Sequence, residues 1–139
     1  MTPEVQVYRR AMVMTGFAMV ALAFFACGFA LIVSPAAAAA ALVGVAVAAL
    51  VSLGTQAAMF FAAQRSPAVL AGWVLGEFLV KIIVVGATLW AASRIGGLPR
   101  GALAWPLVIG VLAGLGINLY AVAKGRVPYV DARPNDGAR

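Results

Sequence analysis

AVLAGWVLGEFLVKIIVVGATLWAAS, residues 68–93, carries only two charges, Glu77 and Lys81, in a stretch that is otherwise apolar or small. Strands usually stop at five or six residues, whereas a helix of about 20 apolar residues crosses a hydrocarbon core. The stretch therefore reads as a membrane-spanning helix. The same reading extends outward to 11–33, 36–63 and 101–123, which leaves only short polar ends. A composition that is 65% hydrophobic and 10% charged, with a mean hydropathy of +1.05, lies far from that of water-soluble domains. The expected fold is all-α, an integral membrane four-helix bundle of two helical hairpins. Residues 1–10 form a cytoplasmic segment in this reading, and 124–139 a polar cytoplasmic tail rich in turn residues.

Ser34-Pro35 and Ser66-Pro67 place a hydroxyl at the N-cap and a proline at the first helical position of spans two and three. Gly96, Gly97 and Pro99 in RIGGLPRG (94–101) end span three, and Pro106 either opens span four or kinks it. The run after Arg9-Arg10 exceeds the apolar core of a secretory signal and is followed at once by another span, so it is expected to stay in the chain. With the N-terminus inside, Arg9, Arg10, Arg65, Lys124, Arg126, Arg133 and Arg139 face the cytoplasm, against Arg94 and Arg100 outside. That asymmetry places both termini in the cytoplasm. It also accounts for the net charge of +6 through topology and anionic lipid, without nucleic acid. Tyr8, Trp73, Trp90, Trp105 and Tyr120 fall near span ends, as interfacial anchors do.

Catalytic chemistry finds few residues. The chain has no histidine, one cysteine and four acids, so neither a metal site nor a cofactor is expected, and Cys27 reads as a small packing residue. No nucleophile stands beside a base, and the expectation is a non-enzyme.

Glu77 and Lys81 then become the residues to explain. Counted from Pro67 at the helical rise, they lie about 15 and 21 Å below the cytoplasmic surface, near mid-membrane. An unpaired charge there costs roughly 2.5–3.5 kcal/mol on insertion scales, so each is expected to neutralise the other inside the bundle. Their i, i+4 spacing with the acid first is the favoured order on one helix face. Gln56, about 12 Å from the same surface, is expected to hydrogen-bond Glu77 across the second hairpin, and Asn118, at about 9 Å, to join the cluster. Such a cluster serves either partner docking or packing register. A path for a small cation, magnesium or a proton, is the rival reading, opposed by the lysine one turn from the acid, and a structural subunit of another membrane complex is the third. Small residues form a further pattern: Gly44, Ala48 and Ser52 with Thr55 on span two, Gly72 and Gly76 on span three, and Gly110 and Gly114 on span four let helices approach closely. None of these stripes reads as a dimer seam, and the oligomeric state stays open.

LGEFLVKIIVVGATLW (75–90) resembles the third span of the bacterial ATP synthase protein I family, in which a Gly-Glu pair precedes a lysine. GVAVAALVSLGTQAAMFF (44–61) is similar to that family's small-residue second span, and RVPYV (126–130) is similar to its actinobacterial members. The acid and lysine stand one residue further apart than is often seen there, and span two lacks the Pro-Asn often found in it. The resemblance implies a multi-pass protein of the bacterial plasma membrane and an accessory of the F-type ATP synthase. Its partners would be the lipid bilayer and subunit c or the membrane sector, and its role would lie in assembly of the rotor ring or in magnesium supply.

Overall fold

The computed structural model describes residues 3–62, 64–65 and 67–124, and these form four α-helices. They are α1 (Pro3–Val33), α2 (Pro35–Ala62), α3 (Pro67–Arg94) and α4 (Arg100–Lys124). All four are long and apolar enough to cross a membrane, with candidate spans Val5–Val33, Pro35–Ala62, Gly72–Arg94 and Arg100–Ala121. The expected Ser66 cap and the tail beyond Lys124 lie outside the described residues.

Helix ends follow from local chemistry. Ser34 alone separates α1 from α2, and its Oγ accepts the Ala37 backbone N–H at 3.1 Å, an N-cap with Pro35 at the first helical position. Gly97, with φ of +79°, supplies the left-handed residue that turns the chain between α3 and α4. Arg100 reaches back from α4 and donates to the Ser93 carbonyl at 2.9 Å, satisfying one of the free carbonyls at the end of α3. Pro106 lies inside α4, fully buried, so no N–H stands opposite the Ala102 carbonyl. At the other end of the chain the helix starts earlier than the apolar run does: Pro3 takes the first position and Arg9 and Arg10 ride on α1 itself.

α2 is the hub. It packs most extensively against α1 and α4, less against α3, and α1 makes no close contact with α3 among the described residues. Thr15 meets Gln56, and Ala26 and Ala30 cluster with Ala37, Ala38 and Ala41, so α1 and α2 run in opposite directions. α4 runs alongside α2 in the same direction. A Cβ added to Gly44 would strike the Leu103 carbonyl, one on Gly110 would come within 2.6 Å of the Ala48 Cβ, and one on Gly114 within 2.5 Å of the Ser52 Oγ. The stripes on α2 and α4 are therefore internal, pressed against each other, and van der Waals contact at short range binds the two helices where lipid offers no hydrophobic drive. Gly72 and Gly76 differ: added Cβ atoms there meet nothing within 4 Å, so these glycines mediate no contact between described residues.

α3 stands at the periphery. Trp73, Val74, Leu75, Phe78, Leu79, Val80, Ile82, Ile83 and Trp90 are exposed, and of its described side chains only Glu77, Lys81 and Ala92 are buried. The aromatic residues expected as anchors divide in the same way. Trp73, Trp90 and Tyr120 lie exposed, Trp105 packs edge-on to Phe29 at 6.2 Å, and Tyr8 is buried against the bundle instead of facing lipid.

Candidate functional site

Because α3 turns only a narrow stripe inward, Glu77 and Lys81, one helical turn apart, both land on it. Their side chains are 4% and 2% exposed and form a direct ion pair through Glu77 Oε1. α4 supplies the next contact: Asn118 Nδ2 donates to Glu77 Oε2 at 2.9 Å and approaches Met59 Sδ at 3.4 Å. The amide must turn its NH2 this way, since its carbonyl would oppose a carboxylate oxygen. On α2, the Thr55 hydroxyl lies 3.3 Å from Glu77 Oε1, but it also back-bonds the Val51 carbonyl at 2.8 Å. Having a single proton, it is a weak partner for the acid. Glu77 is thus held from three helices, whereas Lys81 uses one of its three donors among the described residues.

Gln56 does not reach Glu77. Its Nε2 donates to Thr15 Oγ1 on α1 at 2.7 Å. Successive residues of a helix point about 100° apart, and α1 and α3 lie on different sides of α2, so when Thr55 faces α3 its neighbour faces α1. Sequence reading missed Thr15, although it is the one serine or threonine of α1 and stands plainly in the sequence. Ser52 Oγ, Gln56 Oε1 and Asn118 Oδ1 are buried without a hydrogen-bond partner among the described residues. Thr15→Val is expected to lower stability by about 0.6 kcal/mol, and at most roughly 1.7, the range for hydrogen bonds between helices in lipid. Adding Gln56→Leu, which removes the stranded amide, is expected to recover most of that loss; unfolding of the variants in mixed detergent micelles measures both.

Open recesses flank the pair on either side. One of about 340 Å³ lies between α2 and α3 and includes Thr55, Trp73 and Glu77. A second, about 440 Å³ between α3 and α4, is lined by Phe78, Ile82, Val85, Val108 and Leu112, with Lys81 in its wall. Phe78, Ile82 and Val85 on one bank and Val108, Leu112 and Leu115 on the other follow helical spacing, so the groove presents two ridges along its length. Comparison of the chain with protein-family models, with curated proteins and with solved structures gives no match.

Proposed function

We propose that this is a multi-pass protein of the bacterial plasma membrane, with both termini cytoplasmic, that acts without catalysis as an accessory of the F-type ATP synthase and assists assembly of its rotor ring. The orientation rests on Arg9, Arg10, Arg65 and Lys124 at one end of the bundle against Arg94 and Arg100 at the other. The role rests on Lys81. A buried ammonium with two donors unused among the described residues, on a side chain that forms part of the wall of an apolar groove between two helices, suits a transmembrane helix that carries a carboxyl group at the same depth. Subunit c of the rotor is such a helix in the resemblance read from residues 75–90.

Docking of this kind is transient in chemical terms. The incoming carboxylate competes with Glu77 for the lysine, and Asn118 and Thr55 keep Glu77 partly satisfied while the lysine is shared. The rival reading, a cation path, draws on Glu77 in the recess between α2 and α3, but Lys81 beside it opposes a cation. A mild-detergent pull-down of the tagged chain is expected to recover subunit c from wild type and to lose it in Glu77→Gln, Lys81→Met. Equal recovery from both would return the pair to packing alone. Magnesium flux into vesicles holding only this protein, without recovery of subunit c, would replace the proposal with the conductor.

A further inference from the structure

At the end of the bundle where α1 begins and α4 finishes, Arg10 and Lys124 border one recess of about 330 Å³ together with Tyr120. Its remaining wall is apolar, with Val7, Met14 and Ala121 from the two helices. Lys124 Nζ donates to the Tyr120 hydroxyl at 2.8 Å and lies 5.3 Å from the centre of its ring. That bond fills the phenol oxygen and leaves the phenol proton to be donated elsewhere. Arg10 makes no hydrogen bond or ion pair with a described residue. The functional groups of the recess are thus all donors with protons to spare: a guanidinium, an ammonium and a hydroxyl, contributed by two helices. Glu77, the acid with a described side chain, is committed to Lys81 deep in the bundle.

We infer that this recess is a binding site for the phosphate of an anionic phospholipid. The polar groups select the charge. Their position, at the boundary where the candidate spans Val5–Val33 and Arg100–Ala121 give way to polar chain, is the level of lipid phosphates. The apolar wall continues below them as Met14, which is exposed and faces the glycerol and first methylenes of a lipid and adds nothing for a free anion. Basic pockets between transmembrane helices on the cytoplasmic side are a known arrangement for anionic headgroups, and each cation near such a surface contributes about 1 kcal/mol. The inference is independent of the rotor reading, since it uses none of the groups around Glu77.

The test is native mass spectrometry of the full-length protein in detergent after incubation with equal amounts of phosphatidylglycerol and phosphatidylcholine. Wild type is expected to retain the anionic lipid with a preference of roughly 10–30-fold, from two cationic contacts. Arg10→Gln, Lys124→Gln should bring the preference close to parity while its helical content and thermal unfolding match wild type. Arg94→Gln, Arg100→Gln, with the same change in net charge at the opposite end, should keep it. Wild type without preference, or an equal loss in both double variants, overturns the site. Full displacement of the lipid by excess inorganic phosphate would assign the recess to a free anion. A preference that appears only after Asp131→Asn, Asp136→Asn would assign it to the two aspartates of the chain's own tail, and either result overturns the lipid assignment.

Discussion

Lys81→Met is expected to destabilise the bundle by about 3 kcal/mol or more, the usual cost of breaking a buried ion pair by removing one partner. The cause is the carboxylate left behind. Glu77 is 4% exposed, and its remaining donors among the described residues are Asn118 and the preoccupied Thr55. Glu77→Gln should destabilise by a comparable amount, with the ammonium of Lys81 stranded instead. The double variant Glu77→Gln, Lys81→Met is expected to fall above either single one, since a neutral amide beside a thioether costs little to keep in an apolar seam. Steric-trap or detergent unfolding of the four proteins closes the cycle. Additive losses in the double variant would mean that the two charges are not coupled, contrary to the contact between them.

Gly44→Ala is the second large effect, expected at about 1–3 kcal/mol or above from overpacking alone. The added methyl group meets the backbone carbonyl of Leu103, which cannot swing aside as a side chain does, so the two helices must separate along the seam that also holds Ala48 against Gly110 and Ser52 against Gly114. Gly110→Ala and Gly114→Ala should follow with losses of the same order, because the Cβ atoms of Ala48 and Ser52 that they meet are fixed to the α2 backbone and only the Ser52 hydroxyl can turn away. Gly76→Ala, built from the same residue in the same kind of stripe, is expected to be neutral or slightly stabilising, as it meets open space and improves helix propensity. A shift in thermal unfolding of comparable size for Gly44→Ala and Gly76→Ala would contradict this division.

That contrast also marks how far the chain can be read without its structure. Helix number, approximate ends and the Ser34 cap follow from run length and turn chemistry, which are local. Which face of each helix turns inward is not local. In a lipid-embedded bundle the outside is as apolar as the inside, so Phe24, Leu50 and Ile83 look no different in sequence from Leu107 or Met59. Only polar side chains break the degeneracy, and they do so coarsely. Glu77, Lys81 and Asn118 point to one level and converge there, while Gln56, assigned to that group by depth, faces α1 because its azimuth on α2 differs from that of Thr55 by one residue. Likewise Gly72 and Gly76 share the spacing of Gly110 and Gly114, yet only the latter pair meets a neighbouring helix. Proline at 106 was equally ambiguous, since an apolar sequence permits both a helix start there and the start at Arg100 that the structure has.

The central claim is that another membrane helix lies in the groove between α3 and α4 beside Lys81. A photo-reactive amino acid at Ile82, on that groove, and separately at Phe24, on the exposed face of α1, tests it in cells that express the ATP synthase. The account predicts a cross-linked adduct with subunit c from position 82 and none from position 24. Adducts of equal yield from both positions, or no adduct with subunit c from position 82, would contradict it.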